Sequence, residues 1–137
     1  MDFTEPAEHQ DLRKAIAAVT DTYGPQYFAE RAVAAEPTTE LWRDLGKHGF
    51  IGINIPEEYG GGGAGMVELT IVCEETAARG CPLLLLLVSS AISAELLTRY
   101  GSAEQRSQFL PRMASGETKV VFAITEPDAG SNSRQIS

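Results

Sequence analysis

The sequence predicts a mainly α-helical fold: an N-terminal helical domain of about five to six helices, followed by the first strand of an incomplete β domain. Three observations support this. Apolar residues recur at three- or four-residue spacing, as in Leu12, Ile16, Val19 and Tyr23, which places them on one helical face. Helix breakers separate the apolar stretches, at Gly24-Pro25, Gly49, Gly80, Pro82, Gly101 and Gly116. Residues 119–125, KVVFAIT, are dominated by β-branched and aromatic side chains. The boundary is expected between residues 1–117 and 118–137.

The chain has 137 residues, 43% hydrophobic and 22% charged, enough for one domain with a real core. A net charge of −8 argues against binding nucleic acid or an anionic membrane surface. It leaves room for an anionic cofactor at a locally positive site. Cys73 and Cys81 are the two cysteines; they lack metal-ligand spacing and read as reduced thiols of a cytoplasmic protein. The acidic N-terminus, MDFTEPAEHQ, resembles neither a secretory signal nor a transit peptide. The run LLLLLV at 83–88 falls well short of the about 20 residues a membrane span needs.

Taken in order, Asp2 or Thr4 can cap the first helix, with Pro6 in its first turn. Arg13 lies off its apolar stripe and reads as solvated. Gly24-Pro25 ends this helix, and residues 26–37 form a weaker helical or irregular connection. Thr38 or Thr39 can cap the next helix, which carries Trp42, Leu45 and His48. His48 reads as a helix-end residue without a catalytic partner. FIGINI at 50–55 reads as an extended apolar link, and PEEYGGGGAG at 56–65 as a flexible loop.

That loop formally contains G-x-G-x-x-G at Gly60, Gly62 and Gly65. A dinucleotide fold would need a preceding strand, a second parallel strand and an acidic residue about 20 positions on. The leucine run occupies that place, so the motif is rejected.

Met66, Leu69, Val72, Cys73 and Ala77 form another helical stripe, with Glu74, Glu75 and Arg79 outward. Adjacent acids on a helix point in different directions, which argues against paired acid–base chemistry. Pro82 starts a helix apolar nearly all round, suited to the middle of a bundle. Ser102 with Gln105 fits a capping box. Phe109 and Leu110 come next, and Pro111 starts a further turn.

Residues 119–125 then read as a strand, broken by Glu126-Pro127-Asp128-Ala129-Gly130-Ser131. Gly130 can take a positive φ, and Thr125 and Ser131 add hydroxyls able to grip a polar, phosphorylated ligand. Composition alone favours an ordinary Pro-Asp turn. A single strand leaves its N–H and C=O groups unpaired, so the 137 residues read as a piece of a longer design or as one completed by another subunit.

FAITEPDAGS at 122–131 resembles the flavin-binding signature of the acyl-CoA dehydrogenase family. LGKHGFIGINIPEEYGGGG at 45–63 and YGSAEQRSQFLPRMASGE at 100–117 resemble the same family's helical domain. The resemblance implies FAD as cofactor and oxidation of an acyl-CoA to the 2,3-enoyl-CoA. It also implies an electron-transfer flavoprotein as partner, and a homo- or hetero-oligomer such as a homotetramer. Phe122, Ile124 and Thr125 would line the isoalloxazine, with the Thr125 hydroxyl near the N5–O4 edge. Gly130 and Ser131 would touch the FAD diphosphate, and Ser131 also the pantetheine arm of the substrate. In the leucine run, Leu86 and Ser90 would line the acyl chain.

Asn132 stands where the family has aspartate. No residue of this chain matches the family's catalytic glutamate, so the segment alone is expected to be inactive. Two other readings stay open: a flavin-dependent monooxygenase-type relative, and a non-catalytic subunit that assembles with a complete partner.

Overall fold

The structure, a computed structural model, describes residues 4–136. The helices are α1 (Ala7–Thr20), α2 (Gly24–Val33), α3 (Thr39–Lys47), α4 (Met66–Ala78), α5 (Ala94–Tyr100) and α6 (Ala103–Ala114). A π-helical segment, Leu86–Ser93, runs directly into α5. The mainly helical prediction holds.

Pro6 is the N-cap of α1; Asp2, the alternative cap, lies outside the described residues. Gly24-Pro25 lies beyond the end of α1 as expected, but it also opens α2, where Pro25 sits in the first turn. Proline's missing N–H costs nothing there, so the connection expected to be weak is a helix as far as Val33. The capping box of α6 forms: Gln105 N–H donates to Ser102 Oγ at 3.1 Å, and Ser102 N–H to Gln105 Oε1 at 2.8 Å. Pro111 lies inside α6 rather than starting a new turn.

The main core joins Ile16 of α1, Leu41, Trp42 and Leu45 of α3, Leu69 and Val72 of α4, and Leu86. A second, smaller cluster joins Ile55, Ala94, Leu110, Met113 and Ala114, with Val120 packed against it. α1 packs chiefly on α4. Arg13, read as solvated, ties these two helices: its guanidinium meets Glu5 at 2.9 Å, Glu74 at 2.7 Å and Glu75 at 3.3 Å. The Glu74 hydrogen bond, ahead of the others, drives its pKa further upward.

FIGINI is a turn, not an extended link: Ile55 N–H donates to Gly52 O at 3.0 Å. The glycine loop is pinned to it rather than flexible. Gly62 N–H reaches Gly52 O at 3.0 Å, Gly63 N–H reaches Ile55 O at 2.9 Å, and Ala64 N–H reaches Ile53 O at 2.9 Å. A Cβ on Gly61 would lie 2.1 Å from Ile55 O, so this glycine serves close approach of two backbones.

The end of α6 is locked to α3. Trp42 Nε1–H donates to Gly116 O at 2.9 Å. A Cβ on Gly46 would fall 2.3 Å from Ser115 O. This lock fixes where the chain leaves the helical body.

Candidate functional site

Beyond Gly116, main-chain N–H groups tie the chain to the helices. Thr118 N–H donates to Arg112 O at 2.9 Å, and Val120 N–H to Ser89 Oγ at 3.3 Å. Residues 121–125 then run out along the surface. They carry no ladder among the described residues; the one bridge is Glu126 with Ala129. The residue types of 119–125 suit a strand, but a strand forms only against a partner.

This segment exposes what a folded domain ordinarily hides. Phe122 is 42% exposed, Ile124 47% and Val121 56%, large apolar side chains open to solvent. Thr125, Gly130 and Ser131 are also exposed. The turn brings two of them together. Glu126 N–H donates to Ala129 O at 2.8 Å and Ala129 N–H to Glu126 O at 3.3 Å, which buries Ala129. A Cβ on Gly130 would meet only the Thr125 methyl group, at 4.0 Å. Gly130 is not among the residues of positive φ, contrary to expectation; the Glu126–Ala129 bridge closes the turn without it. The segment offers exposed apolar side chains, a threonine hydroxyl and an uncrowded glycine. Those features fit a planar ring with a polar edge and a charged tail.

Leu86 and Ser90 are not in this group. Leu86 is fully buried in the main core and Ser90 is 2% exposed; both face inward because the π-helical segment turns that side toward α4 and the 50–55 turn. The Ser90 carbonyl accepts from Asn54 Nδ2 at 2.9 Å. The outward members of the run are Leu84 and Leu87, 69% and 49% exposed. They line a cleft of about 340 Å³ with Cys73, Ala77, Pro82 and Leu83. Burial raises the pKa of the Cys73 thiol, which suits a packing role rather than a nucleophile.

His48 is exposed at the end of α3 and stacks on Phe50 at 6.0 Å. Among the described residues no cluster of three or more histidine, cysteine or carboxylate groups is placed to hold a metal ion. No described helix is long and apolar enough to cross a membrane. Nothing in the sequence singles out Ser89; its neighbours Ser90 and Ser93 look the same on paper, and only the fold selects which hydroxyl meets residue 120.

The acyl-CoA dehydrogenase N-terminal domain family matches residues 6–117. The chain belongs to the acyl-CoA dehydrogenase family. It is 51% identical over 135 residues to acyl-CoA dehydrogenase FadE12 of Mycobacterium tuberculosis, covering 98% of this chain and 35% of that protein. The acyl-CoA dehydrogenase of Geobacillus kaustophilus superposes with a TM-score of 0.89 at 26% identity, over 100% of this chain and 36% of the other. The Bacillus anthracis acyl-CoA dehydrogenase, solved in complex with FAD, gives 0.73 at 26% identity, over 95% and 22%. The chain thus spans about a third of the length of its curated relative FadE12, 35%.

Proposed function

We propose that this acyl-CoA dehydrogenase chain supplies one wall of an FAD site and part of the acyl wall of an enzyme that oxidises acyl-CoA to the 2,3-enoyl-CoA. The observation that carries this is the exposure of Phe122, Ile124 and Thr125 in a member of this family. On this reading residues 1–117 form the helical domain and 118–137 open the β domain.

The flavin, when bound, supplies the acceptor for the hydride leaving the acyl β-carbon. Phe122 and Ile124 give the ring an apolar bed and exclude water from it. The Thr125 hydroxyl donates to the ring's polar edge, where negative charge grows on reduction. Gly130, with open space around it, lets backbone approach the diphosphate, and Ser131 serves both the diphosphate and the pantetheine arm. The acyl chain lies along the outward side of the leucine run, with Leu86 and Ser90 bracing that helix from behind. The α-proton is removed by a glutamate outside these residues, so residues 1–137 alone turn nothing over. Electrons leave to an electron-transfer flavoprotein, and the assembled enzyme is an oligomer.

The test is the visible spectrum of the protein expressed from its full reading frame. Bound flavin near one per chain, bleached by an acyl-CoA and slow to reoxidise in air, is the expected result. Protein free of flavin overturns the proposal. Rapid reoxidation coupled to oxygen insertion would place the enzyme among the monooxygenase-type relatives.

A further inference from the structure

We infer that Ser89 is a positioning residue that sets the flavin-facing segment against the helix of the leucine run; this rests on the function proposed above. The π-helical segment Leu86–Ser93 holds three buried serines, Ser89, Ser90 and Ser93, with 2%, 2% and 5% exposure. A π segment widens the helix and shifts each side chain relative to an α register, and such segments occur often at functional sites.

Two of these serines serve as sockets for other parts of the chain. The Ser90 carbonyl receives the Asn54 amide at 2.9 Å, holding the 50–55 turn. The Ser89 hydroxyl receives Val120 N–H at 3.3 Å, two positions before Phe122. Ser93 instead closes the segment on itself, donating from Oγ to Val88 O at 2.8 Å.

After Thr118 N–H meets Arg112 O, the Val120 bond is the last described main-chain link between the segment and the helices. Side-chain packing of Val120 on the second core cluster restrains the same residue, and the hydrogen bond adds a directional tie to the helix of the leucine run. A hydrogen bond at 120 fixes which side of an extended chain faces outward, since successive side chains alternate. Ser89 therefore sets the facing of the segment, with Phe122 and Ile124 on one side and Thr125 on the other, and couples it to the helix whose other side carries Leu84 and Leu87.

The test compares wild type, Ser89→Ala and Ser89→Thr by amide hydrogen exchange, read at Val120 and at α4. Ser89→Ala should speed exchange at Val120 about five- to tenfold, the loss of one hydrogen bond, with α4 unchanged. Ser89→Thr, which keeps the hydroxyl, should restore the slow rate. In the full reading frame, Ser89→Ala should also shift the reduction potential of the bound flavin, and Ser89→Thr should restore it. Unchanged exchange at Val120 overturns the contact itself. Faster exchange with an unmoved potential overturns the positioning role while leaving the flavin reading intact. A wild type without flavin removes the function proposed above, whatever the exchange shows.

Discussion

The helical body and the segment after Gly116 obey opposite rules. In the body, large apolar side chains are hidden: Leu41 and Leu45 are 0% exposed. Backbones approach until glycine is required, as at Gly46 and Gly61. In the segment, Val121, Phe122 and Ile124 face solvent, and the described backbone has one bridge. Both stretches are rich in apolar residues, so hydrophobicity does not separate them. What separates them is whether the buried partner lies within the same stretch of chain. The body finds its partners among its own helices; the segment's residue types call for a neighbour on each side.

Substitutions can break this contrast. Leu45→Ala should destabilise the fold by about 2–5 kcal/mol, the range for deleting a buried leucine with little room to collapse, read as a lower urea midpoint. A small loss there would mean the body is loosely packed. Gly61→Ala should cost about 1–3 kcal/mol, because its methyl group would overlap Ile55 O and overpacking moves backbone. A neutral result would show the 50–55 turn and the glycine loop to be separable.

Glu68 gives a pH-dependent check on the body. Its carboxylate accepts from Gly65 N–H at 2.8 Å at the start of α4 and pairs with His9 at 2.9 Å. Hydrogen bonds from main-chain N–H groups, its own first and then that of Gly65, with the His9 contact third, hold its pKa below the ordinary 4.5. A depressed carboxylate stabilises the fold above the unfolded-state value and loses that contribution as pH falls through the folded one. Thermal melts should therefore show Glu68→Gln less stable than wild type by about 1 kcal/mol at pH 7. The gap should close as pH drops below 4.5. An undiminished gap at low pH would assign the effect to shape rather than charge. Phe122→Ala should be the smallest in this series, within about 0.5 kcal/mol of wild type, as for exposed positions. A larger loss would mean the segment already packs on the body.

The body was largely legible in the sequence. The stripe from Leu12 to Tyr23, the Ser102–Gln105 box and the breaker at Gly116 act over a few residues, and local spacing reports such effects. The glycine loop misled because four adjacent glycines look the same whether they confer freedom or allow contact; only Ile55 beside Gly61 distinguishes the two. Arg13 misled because two of its three carboxylates, Glu74 and Glu75, arrive from α4, far along the chain. At the site, FAITEPDAGS marked the segment through family likeness, not through any local physical rule. Leu86 and Ser90 rest on the same family likeness; in a helix apolar nearly all round, no local pattern says which side turns inward.

The most direct test is hydrogen exchange across residues 118–131 of the protein expressed from its full reading frame, with FAD and after its removal. The account predicts strong slowing at 122–125 and at 130–131 when FAD is bound, with exchange in α1 and α4 unmoved. Equal exchange in the two states across that stretch would contradict it.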